Sequence, residues 1–309
     1  MRGADQLDCE AQLYVRFSER LEHSGIRTSW DKLMKPIRTP KLKDVTTTVF
    51  IVAHKEDTSD LETAMVSEGF TCHVIRGPYS AKERTYPAAV RCLINHSNAW
   101  RKIVKLDDYV IVVEADFVPV KGIASLPLPF DPSSNKKSMA WLYSVGPVIY
   151  HVDPLTQAMY GHNAGTVAYI LDKAVANEWL SLFDDEMKAS PNKYSLWEVN
   201  MPIRLRRERG VRCYIPYKMY GEHGGRANPE HKQNKNRSWH EADVLAGSLH
   251  FMPTYGKVST MIYIMRRIRG RTRGIYRFLA GKNFDGWRAW WRSEGNRGLK
   301  LRLAFQRLL

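Results

Sequence analysis

The run Tyr109-Val110-Ile111-Val112-Val113 is short, β-branched and aromatic, the pattern of a strand buried on both faces. Such a strand belongs inside a sheet, with helices packed on either side. It runs straight into Glu114-Ala115-Asp116, followed by Phe117-Val118-Pro119. Open α/β sheets hold their ligands at the C-terminal ends of strands, so two carboxylates spaced i, i+2 stand in a telling place. Buried charge is costly unless a cation answers it, and a divalent ion bridging phosphates is one such answer. The competing reading is a strand end meeting solvent with two ordinary surface carboxylates.

The surrounding pattern alternates between strand and helix. Residues 46–52 predict a first strand, and 60–67 a helix entered through Thr58 or Ser59. Gly69 stops that helix, and 70–75 form a second strand. Apolar residues at Val90, Leu93, Ile94, Trp100 and Val104 predict a helix of about 15 residues from Ala88. Beyond the acidic strand end, 124–137 read as a loop, 139–145 as a strand, and 162–171 as a polar loop running into a strand. Asp172 then caps a helix through Leu182 with Ala174, Trp179 and Leu182 on its buried side. A short helix starts near Leu196, 211–215 are the last strand, and 221–240 are too polar and irregular for an element. The fold class is α/β: a Rossmann-type, mostly parallel sheet flanked by helices, with a basic helical C-terminal extension. The chain divides into an N-terminal extension over 1–44 (helical over 9–21), a domain over 45–256 and a basic aromatic segment over 257–309.

Charge is concentrated in that last segment. Of the formal +15, +12 falls within residues 257–309, where 14 Lys and Arg face only Asp285 and Glu294; the first 256 residues carry +3. Arg alternates there with Tyr276, Phe278, Trp287, Trp290, Trp291 and Phe305. Arginine and aromatic residues on amphipathic helices suit an anionic membrane surface. A solvated basic helix packed on the domain is the plainer reading, and single-stranded nucleic acid is a rival partner. No stretch approaches 18 apolar residues, so no spanning helix is expected, and no secretory signal is apparent. The four cysteines are scattered without a Cys-x-x-Cys pair, which points to a reducing compartment and no disulfide framework. No Walker motif, no dinucleotide fingerprint and no Ser/His/Asp signature offers another catalytic scheme.

Single residues stand out by position. His54 follows the first strand, where a parallel sheet presents a loop to a nucleotide; a solvent-facing loop histidine is the alternative. Lys82 and Arg84 could meet phosphate or simply be solvated. Asn95 could bond a donor from its helix, whereas His96, among apolar neighbours, is either a core residue or a catalyst. Glu198, beside Trp197, is a candidate general base for an acceptor hydroxyl, or a carboxylate serving the helix dipole. Glu222 and His223 are the alternative bases. Gly221-Glu222-His223-Gly224-Gly225 frees the backbone for close approach, and His223 with Glu114 and Asp116 would make a mixed oxygen and nitrogen metal site. His231 and His240 follow at 8 and 9 residues, which does not match structural zinc spacing.

Three motifs in order, Cys92-Leu93-Ile94-Asn95-His96-Ser97, Glu114-x-Asp116 and Gly165-Thr166-Val167-Ala168-Tyr169-Ile170, resemble glycosyltransferase family 25, the lipopolysaccharide and lipooligosaccharide biosynthesis group. The resemblance covers about residues 46–225. Members typically show Cys-x-x-Ser-His, Glu-Asp-Asp and Gly-(Thr/Ala)-x-Gly/Ala-Tyr; here Asn95 precedes His96, and Ala115 replaces the middle carboxylate. The resemblance implies a GT-A-like fold and inverting transfer of a sugar from a nucleotide donor, UDP-linked, to a glycan or lipid-linked acceptor. It implies Mn²⁺ or Mg²⁺ on Asp116, supported by Glu114; the donor contacts expected from His54, Lys82, Arg84, Asn95 and His96 rest on their positions along the chain. It also implies work in surface-polysaccharide assembly, peripheral on the cytoplasmic face of a membrane. Two rivals stand beside it: a non-catalytic scaffold of the same fold, and a nucleic-acid-binding protein using the tail, which the near-neutral body does not favour.

Overall fold

A computed structural model of the chain describes residues 39–285, apart from 135, 145–146, 153–158, 190, 194 and 226–243. The helix expected over 9–21, His231, His240 and the tail beyond Asp285 lie outside the described residues.

A short helix α1 (Leu42–Val45) leads into β1 (Thr48–Val52), helix α2 (Ser59–Ser67) and β2 (Thr71–Ile75). A 3-10 turn at Glu83–Thr85 precedes α3 (Ala88–Ile103), β3 (Val110–Glu114) and β4 (Phe117–Pro119). The second half holds β5 (Ser138–Trp141), β6 (Val148–Val152), β7 (Met159–His162), β8 (Ala168–Leu171), α4 (Lys173–Ala189), α5 (Trp197–Arg209), β9 (Arg212–Ile215) and β10 (Gly221–His223). Two further helices follow, α6 (Thr254–Val258) and α7 (Thr260–Leu279).

The eight-stranded sheet runs β2-β1-β3-β8-β5-β9-β7-β6. β1 pairs in parallel with both β2 and β3, the arrangement that crossover helices α2 and α3 produce. β8 enters antiparallel between β3 and β5, and β7 antiparallel beside β9. The remaining six strands share one direction, so the fold is mixed α/β with a mostly parallel central sheet flanked by helices.

β3 is apolar on both faces, as its composition requires. Val110 and Val112 join a core with Trp100, Trp141, Tyr169, Trp179 and Trp197 under α3, α4 and α5. Ile111 and Val113 join a second core with Leu42, Leu61, Met65, Phe117 and Phe130 under α1 and α2. Burial of a large side chain contributes on the order of 1.5–3 kcal/mol, and β3 supplies four such residues.

Several boundaries differ from the pattern-based reading. The strand expected over 139–145 ends at Trp141, and the helix expected to stop at Leu182 continues to Ala189. Residues 221–240 are not wholly irregular: Gly221–His223 pair antiparallel with β4. Strand β6 carries a β-branched and aromatic run of its own that the pattern-based reading passes over, whereas β4, β7 and β10 are three or four residues long and are drawn into pairing by neighbouring backbone.

Candidate active site

Beyond β3 the chain turns at Ala115 and Asp116. The turn is tied on both sides: Glu114 N–H donates to Val167 O at 2.8 Å and Ala115 N–H to Val52 O at 2.9 Å. Glu114 and Asp116 therefore converge through a turn, not through the pleat of one continuous strand. β10, paired with β4 in the register His223 to Phe117, brings His223 beside the turn. Its Nε2 lies 2.7 Å from Asp116 Oδ2. Glu114, Asp116 and His223 each offer a ligand atom within 4.8 Å of the others.

The two glycines after His223 are required by space. Gly224 N–H donates to Asp116 O at 2.8 Å. A Cβ on Gly225 would lie 1.9 Å from Asp116 Oδ2, so any side chain there displaces the carboxylate.

Behind the turn, Glu114 is held by two groups. Thr166 Oγ1–H donates to Glu114 Oε1 at 2.9 Å, and His96 Nε2 lies 3.2 Å from the same oxygen. His96 is fully buried; its Nδ1 meets the Tyr169 hydroxyl at 2.9 Å, and Trp100 Nε1–H donates to that hydroxyl at 2.8 Å. His96 is a buried positioning group for Glu114. His96 of α3 and Thr166 thus hold the Glu114 carboxylate from behind.

Glu198 lies in the first turn of α5. Trp197 anchors that turn, buried, with Nε1–H donating to Ala89 O of α3 at 2.9 Å. Burial, then the charges of Glu114 and Asp116, raise the Glu198 carboxyl to about 7 against a lowering pull from His223. For His223, burial works downward, but the charge and hydrogen bond of Asp116, with Glu114 and Glu198 beyond, outweigh it and raise the imidazole. Glu114, Asp116 and His223 thus form one polar cluster, and Glu198 lies within reach of its charges.

The cluster opens on a cleft lined by Val52, Ala53, His54, Glu56, Tyr79 and Arg91, with Cys92, Asn95 and the 114–116 turn as its far wall. His54 stands at its edge, 5.5 Å from the Tyr79 ring. Asn95 Nδ2–H donates to Ala53 O at 2.8 Å, while its Oδ1 is buried without a hydrogen-bond partner among the described residues. Lys82 and Arg84, expected in the donor site, are exposed on the 3-10 turn and do not line the cleft. Arg91, one turn along α3, is the cation that does. Spacing along a charged loop could not separate these three; only the direction of α3 does.

The donor set suits a hard divalent ion. Asp116 Oδ1 is buried and has no hydrogen-bond partner among the described residues. Two carboxylates with one imidazole are a ligand set that Mn²⁺ accepts.

Helix α7 packs on the domain beside this cluster. Arg267 forms an ion pair with the fully buried Glu222, the residue before His223. Burial, with Arg271 adding to it, lowers the Arg267 guanidinium to about 10, still charged at neutral pH. Gly270 and Gly274, one turn apart, are buried on the same side. The outer side carries Met261, Ile264, Met265, Ile268, Tyr276 and Leu279, all exposed. No described helix is long and apolar enough to cross a membrane.

No family model matches the chain, and no curated protein matches it. Among solved structures, the chain is similar to the crystal structure of a glycosyltransferase involved in glycosylation of the major capsid of PBCV-1. That likeness has 11% identity and a TM-score of 0.34, over 55% of this chain and 83% of the other.

Proposed function

We propose that this chain is a glycosyltransferase that moves a sugar from a nucleotide donor, UDP-linked, to a hydroxyl of a glycan or lipid-linked acceptor. One observation carries the reading: Asp116, which belongs to a carboxylate and imidazole cluster at the sheet's C-terminal edge, keeps a buried oxygen that has no hydrogen-bond partner among the described residues. That edge is where α/β sheets bind ligands, and the motif resemblance to family 25 runs through the same residues.

In this scheme Glu114, Asp116 and His223 would hold Mn²⁺ or Mg²⁺, which would supply positive charge against the departing diphosphate. His223 would have to be deprotonated to serve as a ligand. Asn95 Oδ1 accepts from a base or ribose hydrogen, and His54 and Tyr79 flank the nucleotide in the cleft. Arg91 brings positive charge to it. Glu198, with its carboxyl near 7, takes the acceptor hydroxyl proton; a base near the working pH suits that task. Transfer is inverting.

The acceptor side favours a membrane. α7 turns Arg267 and its glycines to the domain and its apolar side chains outward. A nucleic-acid-binding helix would do the opposite. Arg269 and Arg271, both exposed, remain for anionic headgroups. We place the enzyme on the cytoplasmic face, acting on lipid-linked saccharides of surface polysaccharide.

The test is transfer from a panel of UDP-sugars with Mn²⁺, wild type against Asp116→Asn. We expect donor binding to depend on the ion and turnover to fall at least about a hundredfold, with an unchanged circular dichroism spectrum. Equal turnover in the folded variant overturns the proposal.

A further inference from the structure

Behind the Asp116 cluster, Cys92 Sγ, a His96 ring nitrogen and a Glu114 oxygen also lie within 4.8 Å of one another. We propose that these three side chains form a second cation site, for a thiophilic ion such as Zn²⁺, sharing Glu114 with the Asp116 set. It stands whether or not the chain transfers sugar.

Three features argue for it. The His96 Nε2 to Glu114 Oε1 separation is 3.2 Å, long for a charge-assisted hydrogen bond, where about 2.7–2.9 Å is usual. Two ligand atoms each about 2.0–2.1 Å from a tetrahedral ion stand roughly 3.4 Å apart, close to what is found.

Next, the outer support that metal-binding histidines need is already built. His96 Nδ1 is fixed by the Tyr169 hydroxyl, which Trp100 fixes in turn, and Glu114 is fixed by Thr166. Such partners orient the ring; an ion on Nε2 would take the place of the proton this nitrogen shares with Glu114, and that proton would move to Nδ1 or leave.

Finally, the ion has a route in. Cys92 and Glu114 line the cleft, with His96 buried behind them. Thiolate, imidazole and carboxylate with a fourth position open to the cleft is a zinc-type set, in contrast to the carboxylate-rich neighbour. Binding draws the sulfur inward and expels the thiol proton.

Co²⁺ titration of the full-length, reduced protein tests this, because cobalt bound to a thiolate gives a sulfur-to-metal charge-transfer band. We expect one equivalent with that band in wild type. Cys92→Ser should lose the band and weaken Co²⁺ binding about tenfold or more. Cys9→Ser, Cys72→Ser and Asp116→Asn should keep the band. No band in wild type, a band that survives Cys92→Ser, or one lost in Asp116→Asn overturns the proposal; the last outcome places the ion in the neighbouring set. Thermal melting of each variant, run alongside, identifies any loss caused by unfolding.

Discussion

Glu198 is a carboxyl placed against its own preference, enclosed and within reach of the charges of two other acids. Its folded-state value lies above the ordinary carboxylate range, so the folded protein holds this proton more tightly than the unfolded chain does. Any stability it contributes is full below about pH 4.3 and is lost as pH rises through about 7. Glu198→Gln keeps the shape and removes the charge. We expect wild type and variant to melt alike near pH 4, with the variant the more stable at pH 8. As the general base, Glu198 must be ionised, so wild-type turnover should rise with pH, with a midpoint below about 7 because an ion on Glu114 and Asp116 offsets the charges that raise this carboxyl. The variant should lose roughly 10²–10⁴ in turnover with donor binding intact. A variant less stable at pH 8, or as active as wild type, removes Glu198 from this role. At this scale the grouping of Glu114 and Asp116 with His223 was readable, the two acids from their strand-end position and the histidine from the glycines around it. Arg91 and Tyr79 were not, because nothing in their spacing says which way α3 or the loop before it faces.

Elements with strong local pattern, β6 excepted, were legible, and those created by their neighbours were not. β1, β2, β3, β8 and β9 carry β-branched or aromatic runs, whereas β10 is Gly-Glu-His and exists because β4 offers it a register. That small strand links α7 to the site, since Glu222 meets Arg267 and His223 meets Asp116. Breaking a buried ion pair from one side leaves a charge with poor compensation and typically costs about 3–5 kcal/mol. Arg267→Met should therefore destabilise the protein by about 3 kcal/mol. The double change Arg267→Met with Glu222→Leu should recover most of that, as read by urea unfolding. Equal stabilities for the double and single variants would sever α7 from β10.

On the scale of the whole molecule, the basic extension is in part a packed helix whose apolar side points away from the domain, with Met265 57% and Ile268 52% exposed. Binding to anionic vesicles should combine that apolar surface with exposed arginines, and so weaken with salt as screening shortens the reach of charge. Ile264→Asp with Ile268→Asp should reduce vesicle binding at least about tenfold, given roughly 1.5–3 kcal/mol per buried isoleucine. Sedimentation with vesicles checks it; undiminished binding moves the contact elsewhere. The antiparallel strand β8 has a different consequence, for synthesis. β3 receives β1 early on one side, but its other side waits for Ala168–Leu171. A nascent chain released up to about residue 165 carries Val110–Val113 as a bare apolar edge, the form that pairs with other chains. The ribosome must therefore supply more than fifty further residues before this edge is closed, and a truncated N-terminal half should be recovered as aggregate.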